Sequence, residues 1–329
     1  MPTKIEISHR TIIFTVCFLL LLWLLVQVRE VISLLFIAFI IMSALKPWVD
    51  SLEKWRIPRM VSALTIYVFF IAGIASLLTA LLPPLVSQTI HLSDNLPRYI
   101  NEFVPFAAID PQALTQQVAP LGENLLKVTL GVFNNIVGVL TIFVISFYLI
   151  MERGNLDMQL ETFLGEEGAK RFLVVIKKIE ERLGSWVRGQ FTLGIIIGVS
   201  TFIGLQLLGL PYVLPLSIIA GVLEIVPTIG PIISAVPAIL VALTVSPLYA
   251  LAIAALYFVI QQAENNLVVP YVMKQAVGLP PLVTLLSILV GAKLGGIGGA
   301  VLAVPLVVTI ETVFSEYMKF REQPPQTSR

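Results

Sequence analysis

Apolar residues in this chain come in runs of helix length, divided by short polar breaks. Residues 11–28 and 31–45 are nearly free of charge and flank the pair Arg29–Glu30. Residues 60–82 and 131–151 form two further runs. A membrane-crossing helix needs about 20 mostly apolar residues, so each run predicts a span and the first two predict a tight helical hairpin. The first run follows Lys4 and Arg10 as a signal peptide would. It is too long for a simple signal core, lacks a small-x-small cleavage site and leads straight into more apolar sequence, so it reads as a span.

Two stretches break this rhythm. Residues 83–130 are polar, punctuated by proline, and carry apolar positions at helical spacing, which predicts amphipathic helices outside the bilayer. In residues 152–190, Phe172, Val175, Ile176, Ile179, Leu183 and Trp186 make one helical face among charges of alternating sign. That pattern predicts a surface-bound or intersubunit amphipathic helix. Lys and Arg are frequent in 46–59 and 152–190 and sparse in 83–130, where only Arg98 and Lys127 occur. By the positive-inside rule the N-terminus, 46–59, 152–190 and the tail face the cytoplasm, and 83–130 lies outside.

From residue 191 onward the runs are interrupted by Gly and Pro, and two stretches resemble each other. "GLPYVLPLSIIAG" (209–221) parallels "GLPPLVTLLSILVG" (278–291), and "IGPIISAVP" (229–237) parallels "IGGAVLAVP" (297–305). The near-constant offset predicts two repeat units, each a long helix followed by two short arms around a break. Either a re-entrant or a fully spanning arm pair crosses the membrane an odd number of times with its helix, so the units are expected to be inverted; only a pair joined into one broken helix would give a parallel repeat. Inverted repeats with broken helices are a transporter design, with substrate bound near the midplane where the interruptions meet.

The fold expected is therefore an all-α polytopic membrane protein of about eight membrane segments, with two repeat-related broken-helix or re-entrant hairpins in its C-terminal half. Its organisation is expected to be transmembrane helices over 1–82, an extracytoplasmic amphipathic insert over 83–130 and a span over 131–151. A cytoplasmic amphipathic insert (152–190), transport repeats at 191–245 and 246–314, and a cytoplasmic tail (315–329) follow.

Candidate chemistry is confined to a few places. Glu224 lies in an apolar run with Pro227, Gly230 and Pro231, just before the first break, and Lys293 lies just before the matching second break. An ionisable residue inside a membrane segment costs about 2.5–3.5 kcal/mol on insertion scales and usually faces a cavity or a partner. The polar cluster Gln261, Gln262, Glu264, Asn265 and Asn266 closes the helix of the second unit and could coordinate a cation or hydrogen-bond a polar solute. Glu224 is expected to be the proton- or cation-responsive group, with Glu264 its competitor. The Lys293 ammonium is an expected counter-charge.

Composition narrows the function. Hydrophobic residues make up 57% of the chain and charged residues 12%, about half the charge of a soluble domain. The net charge of +1 gives no basic surface for nucleic acid. One cysteine, Cys17, and two histidines, His9 and His91, leave almost nothing for thiolate metal sites, zinc sites or His-based triads. Neither an enzyme, a cofactor nor a metal site is expected, and no Walker A pattern supports ATP coupling within the chain.

The motifs "FYLIMER" (147–153), "LGSWVRGQ" (183–190), "EIVPTIGP" (224–231), "ENNLVVPYVMKQAVGLPPL" (264–282) and "GAKLGGIGGAVLAVPL" (291–306) closely resemble the AI-2E family of bacterial transporters. The resemblance implies a multi-span protein of the bacterial inner membrane, in a family associated with export of autoinducer-2 and with sodium(lithium)/proton antiport. It maps the family's patterns onto Glu224, Pro227, Ile229, Gly230 and Pro231, and onto Glu264, Asn265, Asn266 and Pro270. The expected function is a secondary transporter exporting a small polar solute or a monovalent cation, coupled to protons or sodium, in the lipid bilayer and as a homo-oligomer. A passive oligomeric channel and a scaffold without transport are the alternatives.

Overall fold

The computed structural model describes residues 9–76, 79, 136–243, 245–273 and 278–322. All regular structure among the described residues is helical, and the chain is an all-α multi-pass membrane protein. Among the described residues, five helices are long and apolar enough to cross a membrane, and four shorter apolar helices accompany them. The insert expected over 83–130 lies outside the described residues, as do Lys274 and the end of the tail.

Helices α1 (His9–Gln27) and α2 (Arg29–Glu53) meet at Val28. The hairpin expected at Arg29–Glu30 is absent. Val28 leaves helical geometry only slightly (φ −94°, ψ 7°), and the amide ladder runs through it, from Val28 N to Leu24 O and from Ile32 N to Val28 O. A chain reversal needs several residues free of that ladder, and two polar side chains do not supply them. Most of the described side chains of α1 are exposed and apolar, Phe14, Leu20 and Trp23 among them, as a helix bathed in lipid should be.

Helix α2 buries Met42, Leu45 and Val49 against Ala63 and Tyr67 of α3 (Arg59–Ser76) and Ile150 of α4 (Ile136–Glu152). The Tyr67 ring meets Phe143 and Phe147 edge-on, and its buried hydroxyl pairs with the Ser146 hydroxyl.

Helix α5 (Leu156–Leu208) kinks at Gly165, where φ is 71° and ψ 166°. Beyond the kink it runs unbroken to Leu208, about 65 Å at 1.5 Å per residue. The amphipathic helix expected within 152–190 is thus the first half of the helix whose second half is a span, and the helix continues through residue 190. Its apolar face, with Ile179, Leu183 and Trp186, packs on Ile40 of α2 and on Ile288, Val304 and Val308 of the last helix.

A belt of charge ties this half of α5 to its neighbours. Glu180, buried, accepts from Lys46 and from Arg153, each at 2.6 Å. Arg182 pairs with Glu311 and donates to the Thr312 hydroxyl, while Lys178 and Lys319 both reach Glu316.

Two helical hairpins follow. In the first, α6 (Val213–Leu223) and α7 (Ile229–Leu243) are joined by a tight turn. Helix α6 runs antiparallel along α5, with Gly221 against Gly194 and Ser217 beside Gly198, a small-residue contact that brings backbones close. At about 16 and 22 Å the two arms are too short to span 30 Å of hydrocarbon. Helix α8 (Pro247–Ala263) is capped by Ser246, whose side chain accepts from the Tyr249 amide. It runs back along α5, with the Tyr249 hydroxyl on the Leu208 carbonyl at 2.7 Å and Leu256 against Gly204.

The second hairpin is α9 (Pro281–Glu322), which doubles back at Gly295 and Gly296, the latter at φ 59°, ψ −143°. Residues eight apart in a straight helix stand about 12 Å apart, yet the Gly291 and Gly299 backbones touch. Only a reversal between them allows that. Ser217 and Ser287, at matching positions of the two hairpins, make the same bond to the carbonyl three residues back. The first hairpin enters from the Leu208 end of α5, whereas the arms of the second are anchored at its Lys178–Trp186 stretch.

The first turn depends on Gly230, since a Cβ there would collide with the Leu223 carbonyl. Gly230→Ala is expected to lower stability by about 1–3 kcal/mol, the usual effect of overpacking. A fall in the thermal unfolding midpoint of the detergent-solubilised protein is the check.

Candidate functional site

The tip of the first hairpin builds the site. Helix α6 ends at Glu224, and the next amides turn back tightly, Ile225 N to Val222 O and Val226 N to Leu223 O. Pro227 cannot continue the helix, and Thr228 takes φ 65°, uncommon for a β-branched residue. The Gly230 amide then closes on the Val226 carbonyl. Gln190 of α5 donates from Nε2 to the Glu224 carbonyl, which pins the tip to the long helix.

The second half of the site comes from the end of α8. Residues Glu264–Val268 form a π-helical turn, a local widening that concentrates at functional sites. Pro270 explains its place. Its ring would clash with the carbonyl four residues back, at Asn266, and the wider turn moves that carbonyl away. The same widening aims Glu264 inward.

Glu224 and Glu264 are 1% and 4% exposed, and their carboxyl groups are close neighbours. Gln261 donates to Glu264 Oε2 at 3.1 Å and to Asn265 Oδ1 at 3.4 Å. Glu224 Oε2 meets no hydrogen-bond donor among the described residues. Two negative charges placed so closely in a low-dielectric bundle repel strongly. The pair therefore demands a positive species between its oxygens, either a proton or a cation. The oxygen-rich set suits a small hard ion. No cluster of three or more metal-ligating His, Cys, Asp or Glu occurs among the described residues.

The expected residues divide accordingly. Gly230 and Pro231 are buried and Pro227 half-buried in the first turn; Gln261 and Glu264 join Glu224. Gln262, Asn265 and Asn266 lie on the exposed side of the π turn, where the Asn266 amide donates to the Gln262 carbonyl at 2.9 Å. Lys293 is exposed at the tip of the second hairpin, and the neighbour of Glu224 is Glu264 instead. The two breaks differ in surroundings: the first tip is pinned to α5, with Val226 and Ile229 packed on the cluster of Ile288 and Val304, while the second is exposed.

Gln190, level with Glu224, lies one helical position before the lipid-exposed Phe191 and ten residues from Glu180 in the charged belt, about 15 Å.

Gln190 was not legible as a site residue. Its only signal is a polar side chain at the helical spacing of the apolar face, one turn after Trp186.

The sequence pattern of the AI-2E family transporter matches residues 12–319. YrrI of Bacillus subtilis, a transport protein by its given name, is 29% identical over 307 residues, covering 88% of this chain and 87% of that protein. YueF of the same organism, also named as a transport protein, is 30% identical over 303 residues, with 84% and 82% covered. A sodium-lithium/proton antiporter of Halobacillus andaensis is 24% identical over 307 residues, with 84% and 87% covered. With its multi-pass helical fold and a match over nearly its whole length, this chain belongs to the AI-2E transporter family and serves in membrane transport.

Proposed function

We propose that this protein is a secondary transporter of the bacterial inner membrane that exchanges a monovalent cation for a proton at Glu224 and Glu264. The buried carboxyl pair carries the reading. A proton and a cation compete for the same oxygens, so loading one releases the other, and the two gradients become coupled. A membrane potential adds about 2.3 kcal/mol per charge per 100 mV, enough to drive the exchange. The name of the Halobacillus relative supports a sodium- or lithium-for-proton reaction.

The two hairpins serve as an inverted repeat that rocks against the N-terminal spans. Their anchorage at opposite stretches of α5 supports this, as do the matching Ser217 and Ser287 bonds. The positive charges of 46–59 and 152–190 put those two segments on the cytoplasmic side, and the carboxylates open towards it. Exposed Met158 and Phe163, on the part of α5 preceding its span, suit a second copy of the chain.

A second reading is export of a small polar solute of the autoinducer-2 class, driven by the same exchange. The exposed amides of Gln262, Asn265 and Asn266 beside the pair favour it, because they offer hydrogen bonds to hydroxyl-rich molecules.

Purified protein in liposomes tests the proposal. Sodium or lithium added outside should discharge an imposed gradient of protons, acid inside, with a rate that saturates in cation, and an outward cation gradient should draw protons in and acidify the lumen uphill. Linear, strictly downhill flux would instead mean a channel, and the absence of cation-dependent proton flux would remove the exchange.

A further inference from the structure

We propose that the hydroxyls of Thr201 and Tyr257 form a second polar station, holding water that carries protons between the carboxyl pair and the Leu208 end of α5. The proposal rests on the carboxyl pair as the exchange site and adds the rest of its route.

Three described residues have a buried side-chain polar atom without a hydrogen-bond partner among the described residues: Glu224, Thr201 and Tyr257. Such atoms are rare in native proteins because each has given up water for nothing. Thr201 is fully buried and Tyr257 is 9% exposed. Helical threonines normally donate to the carbonyl one turn back. Thr141, Thr162, Thr192, Thr309 and Thr312 all do so here. Thr201 does not, although it too lies within a helix.

The two hydroxyls lie along one seam. Ile197 and Leu205, one turn on either side of Thr201, pack in the same cluster as Tyr257. Gly204, three residues from Thr201, touches Leu256, the neighbour of Tyr257. Tyr257 precedes Glu264 by two helical turns, and the buried positions Ala250, Ile253 and Tyr257 lead along α8 towards it. Thr201 lies eleven residues beyond Gln190, about 16 Å along α5. The order from the charged belt towards Leu208 is thus the carboxyl pair first and the two hydroxyls after it.

A hydroxyl both donates and accepts, and a buried water needs two to four polar partners. Phenol, alcohol and backbone together can hold a short water file. A proton passes when each member accepts one on one side and releases one on the other, so every group ends neutral and no other reactant is consumed. The surrounding Ile197, Leu205 and Ile253 are apolar and would not hold a desolvated sodium ion, which favours protons on this part of the route.

Radiolytic hydroxyl-radical footprinting of the full chain in lipid nanodiscs tests the station without relying on transport. X-rays make the radicals from water in place, so a buried tyrosine is oxidised where water stands beside it. Tyr67 is the internal control, buried to a similar degree with its hydroxyl already paired to Ser146. Tyr257 should be oxidised several-fold faster than Tyr67, and Thr201→Val should lower the Tyr257 rate. Tyr257 as protected as Tyr67, or a Tyr257 rate indifferent to Thr201→Val, would overturn the proposal. In liposomes, Tyr257→Phe and Thr201→Val should slow sodium- or lithium-driven proton flux several-fold. If Glu224→Gln leaves that flux unchanged, the carboxyl reading fails. If Glu224→Gln stops it while both hydroxyl variants run at the wild-type rate, the station fails.

Discussion

Glu224→Gln is expected to lower cation-driven proton flux by about one to two orders of magnitude, or ~1.4–2.8 kcal/mol. Glutamine keeps the size of the side chain and can still hydrogen-bond to Glu264, so the hairpin tip should fold. What disappears is the second negative charge. With one carboxylate left, a bound cation loses a charged ligand, and hydrogen bonds and contacts to charged groups contribute roughly 1.5–3 kcal/mol each. The pH response changes too. While a proton and a cation compete, raising the pH by one unit strengthens apparent cation binding by up to about tenfold. That slope should flatten in Glu224→Gln and in Glu264→Gln alike, because the pair acts as one unit. Initial rates across a pH series, with folding checked by size-exclusion behaviour, read both effects.

Glu180→Ala is expected to have the largest effect on stability. The Glu180 carboxylate is buried between Lys46 and Arg153, and it joins α2, α5 and the end of α4. Removing one partner of a buried ion pair typically costs about 3–5 kcal/mol, mostly because the remaining charge is stranded. Lys46 and Arg153 are 22% and 13% exposed. Hydration of those cations offsets part of the loss, so the lower end of that range applies. Glu180→Gln should cost less, since its amide oxygen still accepts from one of the two. Thermal unfolding in detergent should rank wild type above Glu180→Gln and Glu180→Ala last. Added salt should narrow the gaps only modestly, as partly buried pairs are weakly screened.

Much of this molecule is legible in its sequence, for physical reasons that also mark where legibility stops. Apolar runs fix the helices because hydrocarbon tolerates little else. Gly-Leu-Pro marks where each hairpin begins, and Pro227 and Gly295–Gly296 mark the turns, because breaks need residues that leave the amide ladder; the Ala-Val-Pro landmarks lie inside helices. The turn at Arg29–Glu30 failed because charge alone does not break a helix, and Val28 bends it without releasing its bonds. The reach of α5 through residue 190 failed because an amphipathic face and a lipid-facing one differ in composition but not in period. Glu224 and Glu264 were each visible as polar groups in apolar surroundings. Their meeting was not, because forty residues and a turn of the fold separate them. Lys293 shows the converse, since a matching position in a repeat confers a matching backbone and not a shared site.

The central claim is that Glu224 and Glu264 bind a proton and a monovalent cation in competition. Proton release from the purified, lightly buffered protein on addition of sodium or lithium tests it without any membrane. The wild type should release close to one proton per chain in a saturable titration, and Glu224→Gln should release almost none. Release from Glu224→Gln equal to that of the wild type would contradict the account.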